Sequence, residues 1–374
     1  MNHDADITPR PNKRRRDFDG APHFAPPSPA PPSESSSVSA SASDVSLESH
    51  QSGRLSPTKQ LMMLEDLEED PVVFCSFDDT IYEEPADVFA MRCAAQRFAD
   101  GVGILGYDQD SLRLATAELS QMDQTRLGFP WAIDPHRNTI GTTPDIAAVQ
   151  TLVHMARRRD RNTSTSEDQW NAKVQLPLLE LALSTSKHKE QLTIENVKTA
   201  KIEPKSLARD TLPRRVVDYV IALEQTEHTG RAWGRLRKHP EAKIKSWNHT
   251  STARRTPFAV NIETKSPTKA WTDGKPQIAI WTDAWFKRLS FIGSPGELWP
   301  AVPLLIAQGH EWHLLVVSKS SVQITIWEQV AIGSTRTCFD ALKVVAVLHW
   351  LMEWAETVWR PWLLALADQP NIGG

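Results

Sequence analysis

The run from Ala301 to Ser334, AVPLLIAQGHEWHLLVVSKSSVQITIWEQVAIGS, leaves the chain few folds to choose from. It holds three apolar stretches of strand length, separated by Gly309 and by Ser320-Ser321. Short apolar runs rich in Val and Ile, bounded by turn residues, predict consecutive β-strands. KPQIAIWTDAWFKRLSFIG precedes them and predicts a helix, and a Trp-rich stretch from about Phe339 to Asp368 predicts a long one after them. Upstream, FAVNIETK (Phe258 to Lys265) alternates as a half-buried strand, and RRVVDYVIALEQ predicts a strand around Asp218. TIENVKTAKIEP reads as a short strand or loop. EDQWNAKVQLPLLELALSTS reads as a helix that Pro177 should kink or split. The order is helix, strands, helix, strands, helix. The simplest layered solution is an α/β (α+β) fold with a central mixed sheet flanked by helices.

The N-terminal part reads differently. Residues 1 to about 60 are rich in Ser, Pro and Ala and lack the apolar surface to offset chain entropy, so a disordered tail is expected. LEDLEED follows as an acidic linker. The expected division is a tail over 1–70, a helical segment over 71–160 and the main domain over 161–374. In the helical segment, PADVFAMRCAAQRFADGVGIL opens on Pro and closes near Gly. GTTPDIAAVQTLVHMARRRDR predicts a helix capped by Thr143 and ending in Arg157 to Arg159, which suits its dipole. His154 in that helix is a lone histidine and is read as structural.

Composition excludes several classes. A net charge of −4 means that any nucleic-acid binding must come from a local patch. Three cysteines without a CxxC pair argue against a disulfide framework or a zinc cluster and suit a reducing compartment. No secretory signal is expected at the N-terminus, and His349, Glu353 and Glu356 interrupt the most apolar stretch, so no membrane span is expected. Four consecutive cations, Lys13 to Arg16, read either as a nuclear import signal or as a solvated charge run.

The chemistry gathers at strand ends. E-x-K occurs at Glu203-Lys205, Glu241-Lys243 and Glu263-Lys265, but only the last closes an apolar strand. Residues two apart on a strand share a face, so Glu263 and Lys265 point to one spot. Asp218 interrupts an apolar run, and a buried lone carboxylate needs a partner or a cation. If the two strands pair, Asp218 and Glu263 converge, and a hard divalent cation such as Mg²⁺ or Mn²⁺ would offset their repulsion. Lys265 would then stabilise charge on phosphorus oxygens or orient water, as phosphodiester hydrolysis requires. The plain alternative is a structural ion pair between Asp218 and Lys265, with Glu263 exposed.

Asp218, Glu263-Thr264-Lys265 and Gln277 together resemble the PD-(D/E)xK nuclease superfamily, and the chain is similar to fungal proteins carrying such a domain. The blocks EDQWNAKVQLPLLELAL, DYVIALE, SWNHT, FAVNIETK, QIAIW, LLIAQGHEWHLLVV and IGSTR carry the resemblance over about Phe98 to Leu366. It implies a restriction-endonuclease-like core, with Asp218 and Glu263 as metal ligands and Lys265 as the catalytic lysine. It also implies a helix acid completing the site, which Glu167 matches and Glu180 rivals. Gln277-Ile-Ala-Ile-Trp281 resembles the Q-x-x-x-Y element of exonuclease-type members, with Trp in place of Tyr. Val217 stands where a proline is usual.

In the connection after the Asp218 strand, the block GRAWGRLRKHPEAKIKSWNHTSTARR (Gly230 to Arg255) carries Arg231, Arg235, Arg237, Lys238, Lys243, Lys245, Arg254 and Arg255 against one acid, Glu241, with Trp233 and Trp247 interleaved. The cations read as nucleic-acid contacts and the tryptophans as core. His310 and His313 of GHEWH lie on opposite strand faces and read as structural. Two functions fit: a metal-dependent nuclease acting on DNA in the nucleus, or a catalytically silent nuclease-fold module binding nucleic acid or protein.

Overall fold

The computed structural model describes residues 55–79, 82–162, 165–213, 216–238, 246–269, 271–293 and 299–368. Seven strands form one sheet: β1 (Val72–Ser76), β2 (Leu192–Asn196), β3 (Tyr219–Leu223), β4 (Phe258–Lys265), β5 (Val302–Gln308), β6 (Glu311–Lys319) and β7 (Ile324–Ser334). Their order across the sheet is β1-β7-β6-β5-β4-β3-β2. The β1–β7 and β4–β5 pairs are parallel and the others antiparallel, so the sheet is mixed as expected. Helices flank it: α1 (Pro57–Glu65), α2 (Ala86–Ala99), α3 (Gln109–Ala115), α4 (Gln121–Leu127), α5 (Ile146–Asp160), α6 (Glu167–Trp170), α7 (Leu176–Thr185), α8 (Glu227–Leu236), α9 (Lys275–Ile292), α10 (Cys338–Trp354) and α11 (Arg360–Asp368). Among the described residues no helix is long and apolar enough to cross a membrane.

Where the fold departs from the sequence reading, a non-local contact is the cause. β1 lies in the segment read as helical. Five residues carry little local signal, and they become a strand by pairing with β7 from Val72↔Ile324 to Ser76↔Glu328. Pro57–Glu65 lies in the stretch read as tail but is helical, because Leu64 is fully buried and α1 packs against α9. Lys13 to Arg16 lie outside the described residues. The polar connection after β3 contains α8, which Thr226 caps and which buries Ala232, Trp233 and Leu236. The cap of α5 is Asp145, whose carboxylate accepts from Ala147 N, whereas the Thr143 hydroxyl accepts from Gly106 N at 2.8 Å. Pro177 does not stop its helix. The chain passes from α6 to α7 through a π turn at Asn171–Gln175, and a wider turn ahead of a residue without an N–H accommodates it.

β4 was expected to be half-buried, but all eight of its residues are buried. It is a central strand, flanked by β3 and β5. Whatever its last residues carry is therefore held out of bulk water.

Candidate active site

Glu263 and Lys265 share a face of β4 and touch. The Lys265 ammonium donates to Glu263 Oε1 and, at 3.0 Å, to the carbonyl oxygen of Thr264. Glu263 is 0% exposed, and its second oxygen, Oε2, has no hydrogen-bond partner. Burial pushes its carboxyl well above the ordinary range, and the charge of Asp218 pushes the same way. Lys265 opposes that rise, and Glu167 adds slightly to it. Four ionisable groups from three parts of the chain thus meet at the end of β4.

Asp218 lies one residue ahead of β3 and extends its pairing: its N–H donates to Ile262 O at 3.1 Å. Its Oδ2 accepts from Thr264 N at 2.8 Å and from the Thr264 hydroxyl at 2.6 Å. The middle residue of E-T-K therefore fixes the neighbouring acid. The alternative pairing of Asp218 with Lys265 is not the one that forms. The cation beside Asp218 is Lys198, whose Nζ stands 3.6 Å from its Oδ1 and 2.8 Å from Asp168 Oδ1. Burial alone would lower the Lys198 pKa, but the Asp168 hydrogen bond and the Asp218 charge outweigh it and raise it. Sequence reading missed Lys198. It lies just past β2, and only the pairing of Asn196 with Tyr219 brings it beside Asp218.

Glu167 is the first residue of α6, and its Oε2 accepts from Ser266 N at 3.3 Å. Its rival Glu180 faces solvent on α7. Gln277 sits in the first turn of α9, but its amide donates to Val216 O at 3.3 Å and hydrogen-bonds none of Asp218, Glu263 and Lys265. It holds the chain entering Asp218. Trp281 is fully buried, donates to Asn261 Oδ1 at 2.9 Å and meets the His249 ring edge-on at 4.0 Å. Its indole belongs to the core.

The basic connection does not lie at this site. β3 runs away from Asp218 for roughly 16 Å before α8 begins. Trp233 of α8 packs against Trp247, and the adjacent Ser246 carbonyl accepts from Arg288, about 16 Å along α9 from Gln277. Arg235, Arg237 and Lys238 are thus exposed at the far end of the sheet, where Arg235 pairs with Asp368. Lys243 and Lys245 lie outside the described residues. His310 is buried in the β5–β6 turn against Thr335 Oγ1 at 2.9 Å, and His313 is within β6.

Residues 115–360, more than half of the 374-residue chain, match the family model of the PD-(D/E)XK nuclease superfamily. The chain belongs to this superfamily. No curated protein and no solved structure matches it significantly. PD-(D/E)XK nucleases generally use divalent metals, and the residues present here fit one. Glu263 Oε2 is a buried carboxylate oxygen without a partner, and Asp218 is near enough to oppose its ionisation. Among the described residues no group of three or more His, Cys, Asp or Glu is placed to hold a metal ion. Mg²⁺ does not require such a group, since it is usually held by one or two carboxylates together with water and substrate phosphate.

Gly309 braces this PD-(D/E)XK strand end. It has φ +55°, its N–H donates to Lys265 O at 2.9 Å, and an added Cβ would stand 2.7 Å from Pro267 Cβ. Gly309→Ala is expected to lower stability by about 1–3 kcal/mol, through backbone strain and that contact. A thermal melt unchanged from wild type would refute this account of the turn.

Proposed function

We propose that this chain hydrolyses phosphodiester bonds in nucleic acid, with DNA as the preferred substrate and a divalent cation, Mg²⁺ or Mn²⁺, as the cofactor. The observation that carries the reading is the unpartnered, fully buried Oε2 of Glu263 beside a second acid and a lysine. A dry site that leaves a carboxylate oxygen unsatisfied is costly unless a ligand completes it. Asp218 and Glu263 would hold the cation, with Glu167 nearby on α6. Such an ion, when bound, would offset the carboxylates and polarise a phosphoryl oxygen.

The protein groups then have separate tasks. Thr264 fixes the Asp218 carboxylate through two hydrogen bonds and keeps it from rotating. Lys265 presents an ammonium already held in place by Glu263 and the Thr264 carbonyl. It is suited to a non-bridging phosphate oxygen, where charge grows in the transition state. Lys198 restrains the outer oxygen of Asp218.

The test is direct. Purified chain, incubated with end-labelled DNA and RNA and with Mg²⁺ or Mn²⁺, should cleave the DNA and stop on addition of chelator. Absence of cleavage over a broad substrate and metal screen, with nucleic-acid binding retained, would instead favour the silent binding module. The direct pairing of Lys265 with Glu263 is the observation on that side. Nuclear localisation is the second part of the proposal, resting on Lys13 to Arg16. Replacing these four residues with Ala should reduce nuclear accumulation of a tagged chain, and an unchanged distribution rejects it.

A further inference from the structure

The nuclease reading leaves open where the rest of the substrate lies, and the cations singled out by sequence are at the wrong end of the sheet. A second basic run ends α5, Arg157-Arg158-Arg159 followed by Arg161. Complementing the helix dipole accounts for a cation or two in a last turn and for a fraction of a kcal/mol each. It does not account for cations that find no acid. Among the described residues, none of these four arginines forms an ion pair. Arg157 instead donates to the carbonyl oxygen of Arg336, at 3.1 Å from Nε and 2.8 Å from Nη2. Arg336, in the turn between β7 and α10, adds its own exposed guanidinium, partly offset by Glu311 at 2.7 Å and Asp160 at 3.7 Å. Arg158 and Arg161 are exposed, and residues three apart on a helix lie side by side.

Short contacts tie this ridge to the site. Thr165 folds the chain back onto the end of α5, its N–H donating to Asn162 O at 2.9 Å and its hydroxyl to Arg159 O at 3.0 Å. Glu167 follows two residues later. On the other flank, His310 Nε2 is 3.5 Å from Asp160 Oδ2, and the adjacent Gly309 bonds to Lys265 O. The ridge therefore stands on the order of 10 Å from the end of β4.

Resting on the nuclease reading, we propose that the C-terminal turn of α5, with Arg158 and Arg161 at its crest and Arg157 and Arg336 behind them, binds the phosphate backbone of nucleic acid next to the bond to be cleaved. Successive phosphates on a strand are spaced closely enough for such a ridge to meet those within a few nucleotides of the site. Contacts of this kind position the substrate without reading its sequence.

Binding of fluorescently labelled duplex and single-stranded DNA, with chelator present to prevent cleavage, tests this. Arg158→Ala/Arg161→Ala should bind all sequences more weakly, and the slope of log affinity against log salt should fall by about two. Raising salt fourfold should then cost the variant about tenfold less affinity than it costs wild type. Circular dichroism confirms the fold, and Arg158→Glu/Arg161→Glu should deepen the loss. An unchanged slope overturns the proposal, as does a loss that follows Arg235→Ala/Arg237→Ala instead. Failure of wild type to bind DNA also overturns it. Binding through the ridge without cleavage in metal leaves the surface standing and rejects the hydrolase reading. Cleavage with no effect of the ridge variants does the reverse.

Discussion

Asp218→Asn and Glu263→Gln should each abolish divalent-metal binding and nuclease activity, while Lys265→Ala should retain the metal and lose rate by on the order of 10²-fold or more. The three substitutions separate because the groups do different things. Either acid variant keeps the shape of the side chain and removes the charge that a hard cation needs. In Asp218→Asn an amide oxygen can still accept from Thr264, so the junction of β3 and β4 should persist. Lys265→Ala leaves Glu263 buried without its cation. Burial and Asp218 already raise the Glu263 pKa, so the carboxyl can take a proton and spare the fold. Lys265 also competes with a metal for Glu263, and its loss trades that competition for one with a proton, so metal binding should be largely retained. Calorimetric titration with Mn²⁺ reads the first part and a cleavage assay the second. Equal activity in wild type and all three variants would assign the activity to a contaminant. Weaker metal binding in Lys265→Ala would mean that the lysine organises the acids instead of serving the transition state.

The outline of this site was legible because its residues break local rules. An acid in the apolar run VVDYVIAL and a charged pair ending FAVNIETK are costly where they stand, and such cost points to function. The strands after Gly309 were legible for the opposite reason: pattern and turn residues agree there at every step. What escaped depends on contacts between distant segments. β1 is a strand only because β7 has a free edge, and Lys198 reaches Asp218 only through the β2–β3 register. The basic residues of α8 show the limit most clearly. They are close to both acid strands along the chain, yet a strand and a helix carry them to the opposite end of the sheet. Charge density along a sequence does not say which end of a strand it will occupy. The run after α5 carries the same signal, and its place emerges only from the turn at Thr165 and the contact with His310.

Acid should destabilise the fold from about pH 6.5 downward, and His349→Asn should remove about one proton's worth of that dependence. His349 is 0% exposed on α10. Arg137 Nη2 stands 2.7 Å from its Nδ1 and, being only a donor, makes Nδ1 the acceptor. The proton is therefore on Nε2, which stands 2.8 Å from Ala182 O and 3.0 Å from Thr185 Oγ1. A second proton would place a charged N–H against a guanidinium in a dry interior. Burial first, and Arg137 second, lower the pKa of His349 to about 3. The folded state thus refuses a proton that the unfolded chain accepts near pH 6.5. Between those values the unfolded state binds more protons, so stability is fully present above about pH 6.5 and is lost as pH falls toward 3. Each pH unit in that window costs about 1.4 kcal/mol for this group, or roughly 4–5 kcal/mol across it. His249 is also buried and its pKa is lowered, so part of the acid sensitivity should survive the substitution. Asn at 349 offers Arg137 an uncharged acceptor and does not titrate. The variant should be less stable than wild type at neutral pH, because it leaves space beside Gly141 and gives up the contact to Ala182. Its urea midpoint should nevertheless fall more slowly from pH 6.5 to pH 4.5. Parallel pH profiles for the two proteins would mean that His349 is charged in the fold, and that Arg137 does not hold it in the tautomer described.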